Sequence, residues 1–330
     1  MISDRTAAIL EQYDIRVLRL LKGRGAVLCE TQEGIKILKE YKGSEGKLDL
    51  QHNLLQEIKN QGYSSLEQII PSKEGTLLVK EEDGTAYYLK DYHSGKECNI
   101  KETKDCYLAM TCLGQLHKAM EIKEEGKFKE LSVSNLTQEA EKQNRELRKI
   151  KKYLSQKRQK TEFEYFLLNN FSSFLEKAEQ VLEGMKAHQE VFSQESSLAN
   201  TSLCHGDLQH HNLLLNEGEV FFINFEKITL DSPMRDLALF LRKIMEKNNW
   251  SKELADKGLK AYEKVRPLSQ RERLQLWYRL SYPEKFRKIA NFYYNSPKAW
   301  IPDKNREKLE KVLLQEEQRS ACLAYLHHQL

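Results

Sequence analysis

Apolar and polar positions follow two rhythms, one before Lys101 and one after it. In the first stretch they alternate, as in Ile35-Lys36-Ile37-Leu38-Lys39, the period of two that gives a strand one buried face. Residues 17–22 and 26–30 read as two further strands, separated by the turn Gly23-Arg24-Gly25. Residues 48–60 carry a helical pattern that ends at Gly62. Residues 76–80 and 86–90 flank Asp83-Gly84 and predict a hairpin closed by a D-G turn. The predicted order is three strands, one helix, two strands.

Past Lys101 the apolar positions recur at helical spacing. Tyr107, Met110, Thr111, Leu113, Gly114 and His117 share one side of a helix. Residues 138–186 contain no Pro and a single Gly. Their second half spaces Phe163, Leu167, Phe174, Ala178, Val181 and Met185 as a core-facing stripe. Their first half is basic: residues 142–160 hold nine Lys or Arg and one acid, Glu146. That run reads either as a solvated helix face or as a surface for an acidic partner, nucleic acid or an anionic surface. Tyr153 is its one aromatic residue, which argues against stacking on single strands. Residues 190–200 form a polar break, 203–224 a short strand–loop–strand unit, and the rest to Leu330 is mainly helical.

Composition narrows the class. A chain of 330 residues can bury a sizeable core as one large or two medium domains. The net charge of +4 is near balance and argues neither for nor against nucleic acid, which only a local cluster could bind and which is not an expected partner. Six Pro and fifteen Gly fall below the roughly 5% and 7% averages, which favours long helices. No apolar run approaches the roughly 20 residues of a membrane span. Met1-Ile2-Ser3-Asp4-Arg5 lacks the basic-then-apolar layout of a signal peptide, so a soluble protein of the cytoplasmic side is expected. The six cysteines form no C-x-x-C pair and are expected as buried, reduced thiols rather than zinc ligands.

The chemistry concentrates in Leu203-Cys-His-Gly-Asp-Leu-Gln-His-His-Asn212 and Ile223-Asn-Phe-Glu226. Phosphoryl transfer to a hydroxyl needs a carboxylate beside the attacking oxygen and oxygen ligands for the metal that neutralises the nucleotide phosphates. A kinase catalytic loop supplies both as H-x-D-x-x-x-x-N, and a second Asp after the next strand binds metal. His205, Asp207 and Asn212 match the first part, and Asn224 stands where the second Asp belongs. The bland alternative for Asp207 and Asn212 is a turn in which each bonds its own backbone. His205 reads more readily as a packed strut than as a proton carrier.

This loop resembles that of the aminoglycoside phosphotransferase and choline kinase superfamily. More narrowly, the chain is similar to the spore coat protein S family of endospore-forming Firmicutes. That likeness runs over most of the chain. It rests on Asn144-Arg-Glu-Leu-Arg-Lys149, Ile223–Glu226, Asp236-Leu with 240–247 and Trp250, Tyr282-Pro-Glu-Lys-Phe286, and Asn291-Phe-Tyr-Tyr-Asn-Ser296. The resemblance implies an α+β protein-kinase-like fold of two lobes. A β-rich lobe over residues 1–92 would cover the nucleotide, and a helical lobe over 93–330 would carry the catalytic loop at 203–226. It also implies synthesis in the mother-cell cytoplasm, deposition in the spore coat, and other spore coat proteins as partners.

Residue by residue, the resemblance assigns Asp207 as catalytic base with His205 beside it, and Asn212 and Asn224 to the metal, Mg2+. A neutral amide in place of an aspartate weakens that metal site. Lys39 takes the nucleotide lysine's place by strand parity with Ile35 and Ile37, leaving Lys36 on the other face. Its expected partner, a helix Glu, is missing: Glu57 lies late in the helix, and Gln51 and His52 occupy the expected place. Tyr88-Leu89-Lys90-Asp91-Tyr92 is expected as the hinge that meets adenine through its backbone. Tyr293, Tyr294 and Trp300 read as core aromatics, or as the wall of a substrate pocket. Two functions follow from these residues. One is a coat component with a kinase-like fold, weak binding of ATP and Mg2+, and little or no phosphotransfer. The other is an active ATP-dependent kinase acting on a small hydroxyl-bearing molecule.

Overall fold

Alternation in the first hundred residues resolves into an antiparallel sheet, and the helical spacing beyond it into a set of packed helices. The computed structural model describes residues 4–23, 25–121, 131, 135–188, 190, 202–296 and 303–329. Arg24, Trp300 and most of the polar break at 190–200 lie outside the described residues.

In chain order the first elements are α1 (Asp4–Leu10), β1 (Val17–Lys22), β2 (Val27–Thr31), β3 (Gly34–Tyr41) and α2 (Glu45–Asn60). Four short strands follow: β4 (Ile69–Ile70), β5 (Val79–Lys80), β6 (Ala86–Asp91) and β7 (Lys96–Glu97). Then come α3 (Thr103–Ala119), α4 (Leu136–Gln156), α5 (Glu162–Ala187) and β8 (Ser202–Cys204). A 3-10 turn at His210–Asn212 leads into the hairpin of β9 (Leu213–Asn216) and β10 (Glu219–Phe222), and β11 (Thr229–Asp231) follows. The last six helices are α6 (Met234–Lys247), α7 (Lys252–Glu263), α8 (Gln270–Ser281), α9 (Glu284–Asn295), α10 (Asp303–Leu314) and α11 (Glu316–His327). The chain divides into two units. The first comprises Met1–Asn99, Lys118–Met120 and Asp207–Ile228, and the second Ile100–His117, Glu121–Gly206 and Thr229–Leu330.

In the first unit the sheet runs β1-β2-β3-β6-β4, with β5 also paired to β6. Its register sets Lys36 opposite Asp91 and Lys39 opposite Tyr88. Ile9, Leu10, Tyr13, Cys29, Leu38, Val79 and Leu89 form the core on one side of it. The D-G turn forms as expected, with Gly84 at φ +86°, a left-handed conformation open to glycine. β5 starts later than residue 76 because Thr76 closes a turn with Ser72, their backbones meeting at 2.8 Å. α2 starts earlier than residue 48, with Ser44 as its N-cap residue. β7 pairs with β9, so the hairpin that follows the His205–Asn212 loop forms part of a three-stranded sheet in this unit.

In the second unit α4 and α5 are separated by a break at 157–161. Thr161 caps α5 in a reciprocal capping box with Glu164. Phe163, Leu167, Phe174, Ala178, Val181 and Met185 are all buried, together with Leu147, Ile150 and Leu154 of α4. Phe286 packs edge-on against Phe171 and stacks on Phe174 at 4.3 Å. Burying such a ring stabilises by about 1.5–3 kcal/mol. The basic residues of α4 lie off this apolar stripe, and Arg148 reaches Glu179 of α5 at 2.9 Å. Two of the signature segments meet here: Asn144 is fully buried, donates to the Ala178 carbonyl and accepts from the Tyr282 hydroxyl, both at 2.9 Å. Tyr293 bonds Glu164 through its hydroxyl and packs on Phe163, whereas Tyr294 packs on Tyr153. All six cysteines are buried and unbridged. Among the described residues no helix is long and apolar enough to cross a membrane.

Candidate functional site

The catalytic-loop sequence spans the division between the units, which the chain crosses at Gly206-Asp207. His205 belongs to the second unit. β8 pairs with β11, and the chain leaves β8 at Cys204 directly into His205. The backbone N–H groups of His205 and Gly206 donate to the carboxylate of Asp236, at 2.6 and 3.0 Å. Asp236 and His205 are both fully buried. His117 lies 3.7 Å from the same carboxylate and shares a 2.8 Å bond with the Tyr262 hydroxyl. Burial pushes the His117 imidazole below its ordinary value. Burial also opposes ionisation of Asp236, but His117 and the Gly206 N–H group outweigh it and hold the carboxyl below its ordinary value. Asp236 therefore acts as the clamp that shapes the chain immediately before Asp207.

The other expected residues come together in the first unit. Asn212 ends the 3-10 turn and donates through its side-chain amide to the backbone carbonyl of Asp207 at 2.8 Å. The five-residue spacing of Asp207 and Asn212 thus closes a loop on itself. Asp207 turns its carboxylate to Lys227 at 2.8 Å and to Gln209 at 3.3 Å. Asn224 follows β10 with φ +67°, a conformation that asparagine tolerates better than most residues. Its amide donates to Asn212 Oδ1 at 2.9 Å, and its own Oδ1 accepts from Lys90 Nζ at 3.0 Å.

Lys90 is the least expected member. β6 places Tyr88 and Lys90 two residues apart, so their side chains leave on one face. The Lys90 ammonium bonds Glu67 at 2.6 Å, and the two side chains are 5% and 1% exposed. Glu67 also accepts from the Phe225 N–H group at 2.9 Å and from Gln51 at 3.4 Å. Gln51, at the place where α2 was expected to offer an acid, therefore binds one instead. The backbones of Leu89 and Lys90 pair with both β3 and β4, which commits them to the sheet.

Lys39 finds its acid outside the helix, bonding Glu226 Oε1 at 2.8 Å, and the Tyr88 hydroxyl approaches the same oxygen at 3.4 Å. Burial opposes ionisation of Glu226, but the bond from Lys39 and the charges of Lys90 and Lys39 hold its carboxyl below the ordinary value. Lys36 pairs with Asp91 at 2.7 Å. Glu67, Lys227 and the roles of Glu226 and Asp236 were not read from the sequence. Glu226 and Asp236 stand inside quoted segments, but nothing around Glu67 in Ser64-Ser65-Leu66-Glu67 marks it.

The donor set was tested against a hard divalent cation. Such an ion takes oxygen ligands, preferably anionic ones. Here Lys39, Lys90 and Lys227 neutralise Glu226, Glu67 and Asp207 one to one. The side-chain oxygens of Asn212 and Asn224 both accept internal hydrogen bonds. Among the described residues no group of three or more His, Cys, Asp or Glu is arranged to hold a metal. The residues present do not fit Mg2+.

Solved structures share this architecture. An aminoglycoside phosphotransferase from Alicyclobacillus acidocaldarius superposes with a TM-score of 0.86 at 20% identity, over 98% of this chain and 95% of that one. Spectinomycin phosphotransferase APH(9)-Ia, in complex with ADP and spectinomycin, gives 0.66 at 14% identity, over 98% and 97%. Amicoumacin kinase hAmiN, in complex with AMP-PNP, Ca2+ and its antibiotic, gives 0.63 at 14%, over 96% and 92%. The fold is thus the kinase-like one of the aminoglycoside phosphotransferases. In sequence, spore coat protein S of Bacillus subtilis is 26% identical over 317 residues, 91% of this chain and 86% of that protein. The family model described as "Spore coat putative kinase YutH" matches residues 6–326. With that match running almost from end to end, the chain belongs to this spore coat kinase-like family.

Proposed function

We propose that this chain is a spore coat protein whose kinase-like fold serves nucleotide binding and coat assembly, with little or no phosphoryl transfer. In this reading Lys39 meets the phosphates of ATP, and Tyr88 and Lys90 wall the nucleotide site. Asp207 occupies the place of the base, His205 holds the loop, and Asn212 and Asn224 close the phosphate end. The protein is made in the mother-cell cytoplasm and joins other coat proteins in the spore coat. Family membership and the spore coat relative support the location. The nucleotides held by fold neighbours support weak ATP binding. The observation that carries the reading is the Lys90 ammonium on Asn224 Oδ1, which puts a cation and a neutral amide, not a carboxylate, at the position that binds metal in a kinase.

One observation favours the second reading, an ATP-dependent kinase of a small hydroxyl-bearing molecule. The Asp207 carboxylate is 31% exposed, within reach of an acceptor hydroxyl. Asp207→Ala separates the two. Its pair with Lys227 is worth about 0–1 kcal/mol, and the variant's melting temperature reports whether the fold is kept. A general base contributes about 10²–10⁴ in rate, so an enzyme would lose turnover of its acceptor. Under the proposed function, spores carrying Asp207→Ala incorporate the protein and resist lysozyme like wild type, whereas spores lacking the chain do not. A defect in Asp207→Ala spores as severe as the deletion, with the variant's melting temperature intact, would overturn it.

A further inference from the structure

The polar chain in the first unit has a direction. An ammonium has donors and no acceptor, so the Asn224 atom that meets Lys90 at 3.0 Å is the carbonyl oxygen. The Asn224 amide nitrogen then faces Asn212, 2.9 Å from its Oδ1. Asn212 in turn spends its own amide nitrogen on the Asp207 carbonyl at 2.8 Å. Each amide orientation is dictated by the one before it, and the first by the lysine. Both oxygens that a metal would need thus already accept a hydrogen bond, one of them from a cation.

Resting on the nucleotide-binding reading above, we propose that the Lys90 ammonium is the resident cation of this site. It stands at the pole where the fold's phosphoryl chemistry calls for a divalent metal, and nucleotide binds there without magnesium. Lys90 is 4% exposed and anchored by Glu67, so its charge is fixed in place. A divalent ion reaching for Asn224 Oδ1 would have to displace that charge or sit against it. Exchanging Asn224 for Asp does not by itself open the pole, because the new carboxylate meets the same ammonium. Opening it requires removing Lys90 together with the buried acid it neutralises.

The test uses the full chain and two probes. Manganese alone is titrated and followed by electron paramagnetic resonance, and ATP is titrated by calorimetry with and without magnesium. Wild type should bind no manganese at this site, and magnesium should change its ATP affinity by less than about twofold. Asn224→Asp should behave the same. The combination Lys90→Met, Glu67→Gln, Asn224→Asp removes the buried pair and supplies a free carboxylate. It should bind manganese and couple metal to nucleotide by about tenfold or more. Manganese bound to wild type and lost in Asn212→Ala would overturn the proposal. So would a gain in Asn224→Asp alone as large as in the combination, or a folded combination, judged by its melting temperature, that still binds none. Absence of nucleotide binding to wild type in both conditions would instead refute the nucleotide-binding reading, and the manganese arms would still decide whether Lys90 holds the pole.

Discussion

Asp236→Ala should unravel the approach to the His205–Asn212 loop, and its cost can be worked from two bonds. The carboxylate accepts the His205 N–H group at 2.6 Å and the Gly206 N–H group at 3.0 Å, with Asp236 and His205 fully buried. Alanine leaves both donors without that acceptor. A buried donor left unsatisfied costs about 1–3 kcal/mol, so the pair sets a range of about 2–6 kcal/mol. That is a large share of the roughly 5–15 kcal/mol by which a typical fold is stable. Asp236→Asn should cost about half as much, since it keeps one acceptor oxygen but turns an NH2 group towards a donor. Urea unfolding, followed by the fluorescence of Trp250 and Trp277 in the second unit, reads the loss. Hydrogen exchange should show the His205 and Gly206 amides losing protection first.

The same residue predicts an acid limb. Its carboxyl titrates below its ordinary 3.8 when folded, so the stabilisation is complete above that value and is lost as pH falls through the lower, folded value. Asp236→Ala should flatten this part of the acid profile. A loss below about 1 kcal/mol, or wild-type protection of both amides in the alanine variant, would refute the clamp.

Two other outcomes follow from the geometry. Lys39→Ala should weaken ATP binding about tenfold, the scale of a lost charged hydrogen bond, while leaving adenosine binding nearly unchanged; calorimetry with both ligands checks it, and a larger effect from Lys36→Ala, whose ammonium is held by Asp91, would put the strand register in error. Burial raises the thiols of Cys29 to about 11, Cys106 to about 12 and Cys322 to about 11, so iodoacetamide at neutral pH should leave the intact mass of native protein unchanged and add six labels once it is unfolded.

Local rules made much of this molecule legible. Alternation found β1, β2 and β3 nearly to the residue, the D-G pair found the hairpin of β5 and β6, and apolar spacing found the buried face of α5. The loop from His205 to Asn224 was legible because its chemistry is written in short spacings. Parity alone put Lys39 with the site and Lys36 on the opposite face. The partners were not legible. Glu67 meets Phe225 across 158 positions and Lys39 meets Glu226 across 187, separations over which no pattern of spacing carries information. The second pairing of Leu89 and Lys90 was not legible for a similar reason: β4, only two residues long, is what holds them on their second side. The start of α2 was missed because Gly43-Ser44-Glu45-Gly46 has the composition of a loop, although Ser44 is a sound N-cap residue.

The Lys90 relay also constrains descent. A lineage carrying it reaches a charged metal site only through changes at more than one position. Asn224→Asp as a first step adds a carboxylate that the ammonium absorbs, so selection for metal has nothing to act on. Loss of Lys90 as a first step strands Glu67 in the interior, at about 3–5 kcal/mol for a broken buried pair. Neither order offers an uphill path by single substitutions. Relatives with the relay should therefore keep Glu67, Lys90 and Asn224 as a block or have lost all three, and a tree of the family should show the exchange as rare and clustered on single branches.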